Sequence, residues 1–266
     1  MDDNAPTLNN RLGELLEKHD ALFGVICRDA TLTDIELMAQ AGFHIVWFDM
    51  EHGPQSMAET LRLGRTATHL GMVPLVRMPE LSRTQVQRLL DGGIQVLALP
   101  DVRTAEEAAR FVQMGKYPPV GRRGVSSSSA GTAYTMGADP KQTLREVNDA
   151  THLMLMFESD EAYESLDEIL AVDGIDMVTV GPMDWSVSLG LFGDEARTRQ
   201  TPKFERVFTA AVASGKIASA GAFSFDQAAH FYSLGVRVFF VGVDIVIKRQ
   251  SLIGTLNKFQ NALGAG

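Results

Sequence analysis

The chain has 266 residues, 45% hydrophobic and 21% charged, with a formal net charge of −9 and a single cysteine, Cys27. This length admits one large α/β domain or two small ones, and the balance of apolar and charged residues builds a core without disulfides or a zinc staple. No basic run tracks a phosphate backbone, the polar start MDDNAPTLNN has no apolar export segment, and no run reaches the roughly 20 apolar residues of a membrane span; nucleic acid and membrane are excluded as expected partners, and the cytoplasm is the expected location.

The first apolar run is LFGVIC (22–27), followed by DIELMAQAG, in which Asp34 reads as the helix opening and Gly42 as its stop. HIVWFDM (44–50), VPLVRM (73–78) and QVLALPDV (95–102) come next, separated by amphipathic stretches. TAEEAARFVQMG opens on Thr104 with Glu107 at capping-box spacing. From Tyr117 to Pro140 the chain is rich in Gly, Ser and Pro without periodicity, and a barrel is expected to carry this stretch as a large loop after a strand, serving as a lid or binding loop. HLMLMF (152–157), MVTVGP (177–182), IASAGA (217–222) and VRVFFVGV (236–243) complete eight runs. Short and apolar, they read as buried parallel strands, and eight βα units predict an α/β fold: a single (β/α)8 TIM-barrel domain over 1–266. An open doubly wound sheet would concentrate glycine in one phosphate loop, and neither GxGxxG nor a P-loop is present.

In such a barrel the reactive groups gather where strands end. Polar residues at those positions are Asp49, Glu51 and His52 in FDMEHGP, then Arg77, Asp101, Glu158 and, in VGPMDWS, Asp184. Glu158 and Asp184 come from neighbouring strands, and oxygen ligands with open positions suit a hard divalent ion such as Mg2+ or Mn2+. Two buried carboxylates about 4 Å apart would repel by roughly 4 kcal/mol at an effective dielectric near 20, so a cation or a raised pKa is required. The plainer reading is that one caps a helix and the other pairs with Lys or Arg. His52 suits general acid or base work if a carboxylate orients it, with Asp49 or Asp91 as the candidates. Arg77 would meet a substrate anion, or else a structural partner in Asp49 or Glu51. His19, His44, His69, His152 and His230 fall in helices or at strand starts, and carry no expected chemistry. Cys27 and the twelve methionines read as core filler. Lys116, Lys216 and Lys248 are poorly placed for a Schiff base.

With these residues laid out, the chain resembles the HpcH/HpaI aldolase family, the metal-dependent class II pyruvate aldolases that include macrophomate synthase and the 2,4-dihydroxyhept-2-ene-1,7-dioate and 2-dehydro-3-deoxyglucarate aldolases. The likeness covers about residues 20 to 250 and rests on AGFHIVWFDMEHGP, VPLVRM, LLDGGIQVLALPDV, YPPVGRRGV, the glutamate of LMLMFES and DGIDMVTVGPMDWSVSLG. It implies that Glu158 and Asp184 ligate a divalent metal (Mg2+, Mn2+ or Co2+), that His52 is the acid/base residue, and that Arg77 binds and polarises the keto or enolate oxygen. It further implies Asp91 as the carboxylate partnered with His52, in a contact that can cross a subunit interface, with Asp49 in support. Backbone amides around Gly181, Pro182 and Met183 would hold the ketoacid carboxylate. Family members are commonly oligomers, so a trimer or hexamer is expected, with the C-terminal helix, residues 245–263, exchanged between copies. Two departures stand out: Met156 replaces a usual glutamine, and Asp101 an apolar residue. The loop SSSSAGTAYTMG also differs from the family's.

The expected reaction is reversible aldol cleavage of a 4-hydroxy-2-ketoacid to pyruvate, or a related 2-ketoacid, plus an aldehyde. Oxaloacetate decarboxylation or CoA-thioester lysis through the same enolate are the enzymatic alternatives. CoA would need a basic groove, for which only Arg122 and Arg123 qualify. A non-catalytic barrel binding a small acid is the alternative outside enzymes.

Overall fold

A computed structural model describes residues 9–264, the Arg197 side chain excepted. The ends of the span 1–266, including the polar residues 1–8, lie outside the described residues. Eight parallel strands close into a barrel in sequence order. They are β1 (Leu22–Cys27), β2 (Ile45–Asp49), β3 (Val73–Arg77), β4 (Val96–Leu99), β5 (His152–Phe157), β6 (Met177–Val180), β7 (Ile217–Gly221) and β8 (Val238–Val243). β2 through β6 are buried along their whole length, which is why their sequence reads as continuous apolar runs with no alternation.

Alternate residues point inward, and Ile45, Trp47, Leu75, Val96, Ala98, Met154, Met156, Met177 and Phe240 fill the barrel as one packed interior. The other faces meet the helices in a second, larger apolar cluster. Helix α1 (Arg11–Lys18) closes the amino-terminal end by pressing Leu12 and Leu15 onto that interior. At the same end His152 Nε2 lies 2.8 Å from the Asn10 side-chain oxygen, and its burial lowers its pKa to about 4.

The helices between strands begin as their caps dictate. Thr31, three residues ahead of Asp34, is the N-cap of α2 (Leu32–Gln40), and Asp34 completes a capping box instead of opening the helix. α3 (Met57–His69) and α4 (Arg83–Asp91) follow, then α5 (Ala105–Gly115) with the expected Thr104 and Glu107 box. The irregular stretch comes after α5 and, apart from a short 3-10 turn at Ala130–Thr132, runs to α6 (Pro140–Ala150). It joins α5 to α6, which leads into the start of β5, so it lies at the amino-terminal rim, where its Arg123 binds Asp91 at the end of α4. The expectation of a loop at this chain's own mouth is corrected, because α5 has already carried the chain back to the opposite end. α7 (Asp160–Glu164) and α8 (Leu166–Leu170) follow β5; α9 (Pro182–Ser188) and α10 (Gly193–Ala213) follow β6; α11 (Phe225–Ser233) follows β7.

Helix α12 (Asp244–Leu263) stands apart: Asp244 is its one buried residue, while Ile245, Val246, Ile247, Leu252, Ile253, Leu256, Phe259 and Leu263 are exposed. Among the described residues, no helix is long and apolar enough to cross a membrane.

Candidate active site

The carboxyl-terminal ends of the strands surround a cavity of about 710 Å3, within the ordinary range for small-molecule sites. Arg28, His52, Arg77, Glu158, Gly181, Pro182, Met183 and Asp184 all line it. Apart from Asp49, buried beneath the arginines, and Asp91, every expected site residue is therefore at one mouth.

On the β2–β3 side the Asp49 carboxylate is buried and saturated. It accepts from Arg77 Nε at 2.9 Å and NH2 at 2.6 Å, from the amides of Glu51 and His52 at 3.2 Å each, and lies 3.1 Å from Arg28 Nε. Strand register sets Asp49 directly beside Arg77. Burial alone would raise the Asp49 carboxyl, but the Arg77 hydrogen bonds and charge hold it below the usual carboxylate range, helped by the His52 amide and Arg28. Arg77 also reaches Glu51, NH1 to Oε2 at 3.1 Å. The structural ion pair weighed for Arg77 thus exists, and the arginine lines the cavity as well. Gly53 is required here, since a Cβ would sit 2.3 Å from the Asp49 carbonyl oxygen and 2.6 Å from that of Arg28.

His52 is exposed, and its nearest carboxylate is Glu51, Nε2 to Oε2 at 3.7 Å. Asp49 meets His52 through the backbone amide, having spent its oxygens on arginine. Asp91 ends α4 and is bound there by Arg123 NH2 at 2.7 Å and Gln87 Nε2 at 2.8 Å. Within one chain, neither expected partner orients the imidazole; burial raises the pKa of Glu51, the residue that does approach it.

The β5–β6 side is built differently. Glu158 directly follows β5 and is 6% exposed. Its Oε2 accepts the Asp101 amide at 2.9 Å, while Oε1 is buried without a hydrogen-bond partner among the described residues. Burial, above all, pushes this carboxyl up to about 7; the Asp184 charge adds to the rise, and the Asp101 amide and Arg77 oppose it. Asp101 delivers its N–H from a left-handed backbone (φ 47°), which aspartate tolerates better than a bulky apolar residue would. Gly181 lies under Glu158: a Cβ there would be 1.9 Å from Oε1. Asp184, in the first turn of α9, is exposed, so the expectation of two buried carboxylates holds for Glu158 alone. The Gly181 amide is already given to the Phe157 carbonyl at 3.0 Å, and Pro182 has no N–H. The first-turn amides of Met183 and Asp184 are the donors left for a substrate anion.

These residues fit a divalent cation. A buried carboxylate oxygen without a hydrogen-bond partner among the described residues, in a cavity that a second carboxylate, Asp184, also lines and whose charge it feels, suits a hard ion. No group of three or more His, Cys, Asp or Glu among the described residues forms a closed metal cage. Such an ion would complete its shell with water and substrate oxygens. Among the described residues, no lysine lines the cavity. Lys116 is bound at the amino-terminal rim by the Asn148 and Thr151 carbonyls and Asp176, and Lys248 by Asp34.

Among the lining residues that sequence reasoning missed are Arg28, Trp47 and Gln200. Arg28 follows β1 directly and obeys the strand-end rule that found the others. Trp47, on the inward face of β2, has an indole N–H without a partner among the described residues. Gln200 lies inside α10, and nothing in the local pattern marks it.

A family model described as HpcH/HpaI aldolase/citrate lyase matches residues 27–249. The chain is 32% identical over 258 residues to a 2-keto-3-deoxy-L-rhamnonate aldolase of Escherichia coli (strain K12), covering 96% of this chain and 94% of that protein. Among solved structures it is similar to an HpcH/HpaI aldolase from Desulfitobacterium hafniense DCB-2, with TM-score 0.87 and 27% identity over 94% of this chain and 96% of that one. An aldolase/citrate lyase family protein from Burkholderia cenocepacia J2315 gives TM-score 0.85 and 27% identity, over 95% and 100%.

Proposed function

The chain belongs to the HpcH/HpaI aldolase/citrate lyase family and is an aldolase of that divalent-metal-dependent type, and from that premise we propose that Glu158 and Asp184 hold the ion, Mg2+, Mn2+ or Co2+, while His52 moves protons. The observation that carries this is the orphaned Glu158 Oε1 beside the Asp184 charge. When bound, the cation is a Lewis acid that lowers the cost of negative charge on a ketoacid's keto oxygen. Arg77, held rigid by Asp49 and Glu51, adds a preorganised positive charge to the same oxygen. The Met183 and Asp184 amides take the ketoacid carboxylate. In cleavage His52 removes the C4 hydroxyl proton, and in condensation it takes a C3 proton, directly or through water. Asp49 positions this side by fixing Arg77, Arg28 and the His52 backbone together.

The apolar face of α12 is too extensive to leave in water, which supports its packing on a neighbouring copy in a trimer or hexamer. Asp91, held by Arg123 away from its own mouth, would then serve the His52 of a second copy. A CoA-thioester reaction is disfavoured, because neither Arg122 nor Arg123 lines the active-site cavity and Arg123 is tied to Asp91 at the far end of α4.

The test is a pyruvate-release assay over 4-hydroxy-2-ketoacids, beginning with 2-keto-3-deoxy-L-rhamnonate. Activity should vanish in EDTA and return with Mg2+ or Mn2+. Full activity in chelator would defeat the metal assignment.

A further inference from the structure

The cavity extends well past the groups that handle a three-carbon ketoacid. Its far end lies between α9, α10 and α11, where Leu191, Ala196, Phe204 and Phe231 form an apolar lobe. Polar side chains line it too, Ser186, Thr201 and Gln227 among them, and the most deeply buried is Gln200, 2% exposed. The Ser186 hydroxyl lies 2.9 Å from Gln200 Oε1 and 2.6 Å from the Pro182 carbonyl, and its single proton serves one of them at a time. Gln200 Nε2 has no partner among the described residues. If the amide is turned so that Ser186 accepts from it, the oxygen is left unpartnered instead. Either way one end of a buried amide lacks a partner at the lobe. A hydroxyl both donates and accepts, and satisfies either orientation.

We propose that this lobe seats the aldehyde component, and that the aldehyde carries a large apolar, aryl-sized body with a hydroxyl at its far end that pairs with Gln200. The inference rests on the aldolase reading above and names its substrate class. In condensation the ketoacid's C3 loses a proton and bonds to the aldehyde carbon, and the aldehyde oxygen gains a proton, with no change in oxidation state overall. Everything beyond the new C4 carbon therefore comes from the aldehyde, which is the part the lobe must accommodate.

The test uses the full chain with Mg2+, pyruvate and three aldehydes: glycolaldehyde, 3-phenylpropanal and 3-(4-hydroxyphenyl)propanal. The hydroxyaryl aldehyde should exceed both others in kcat/KM by about tenfold or more, and Gln200→Leu should erase its advantage over 3-phenylpropanal. Preference for glycolaldehyde, equal rates with the two aryl aldehydes in the unaltered protein, or an advantage that survives Gln200→Leu would each overturn the proposal. So would a preference for 2-ketohexanoate over pyruvate, which would give the lobe to the ketoacid. Comparing the two aryl aldehydes on the unaltered protein decides the matter even if the variant does not fold. Exchange of the pyruvate methyl protons with solvent deuterium separates the two levels: exchange with flat aldehyde selectivity removes this inference alone, and no exchange removes the aldolase reading with it.

Discussion

The β2–β3 side of the mouth and the β5–β6 side each bury a carboxylate, in opposite states. Asp49 accepts from two arginines and two amides, and its pKa lies below the usual range. Glu158 has one amide, an idle oxygen and a pKa pushed up to about 7. The difference teaches where this barrel is finished by folding and where it waits for a ligand. The Asp49 side is complete as protein, whereas the Glu158 side carries a desolvation cost that a cation would offset.

Four substitutions or conditions sharpen that contrast. Replacing Glu158 with Ala should have the largest effect, lowering pyruvate release by roughly 1000-fold, the several kcal/mol a Lewis acid contributes. A stopped assay with saturating Mg2+ checks it, and near-normal turnover would place the ion elsewhere. Asp49→Ala should instead strike the fold, since it leaves Arg77 buried without its main counter-charge at a cost of about 3–5 kcal/mol. Urea unfolding reads this, and unchanged stability would mean that Glu51 alone suffices for Arg77.

The third test is pH. In chelator-treated protein the folded state keeps the Glu158 proton to about pH 7, while the unfolded chain releases it near the ordinary 4.5. The folded state therefore binds more protons across that window, and stability falls as pH rises from about 4.5 to 7, by about 3 kcal/mol at most. Glu158→Gln should remove this dependence, so wild type and variant should diverge between pH 5 and 8; parallel curves would show the carboxyl to be unstrained. The smallest expected effect is that of Gly181→Ala, whose methyl must displace Glu158 Oε1. Metal affinity should drop by about 10- to 100-fold, the scale of losing a group that orients a ligand, and calorimetry would detect it.

Much of this was legible because fully buried parallel strands are written as uninterrupted apolar runs. LFGVIC and HLMLMF match β1 and β5 to the residue, and the polar residue after each strand marks the rim. What escaped was anything set by three-dimensional competition for partners. Asp49 lies three residues before His52, yet two arginines claim its oxygens, which no spacing reveals. The rim of the loop after α5 is hidden for a simpler reason: it is set by the helix before it, and a Gly- and Ser-rich composition suits a loop at either end of the barrel. Gln200 was invisible because a buried glutamine in a polar helix looks like any surface residue until its surroundings are known.

The most direct measurement is calorimetric titration of Mn2+ into chelator-treated protein, with Glu158→Gln alongside. One ion per chain should bind the unaltered protein, and the variant should bind at least about 100-fold more weakly. Equal affinity in the two proteins would show that Glu158 and Asp184 do not share a cation.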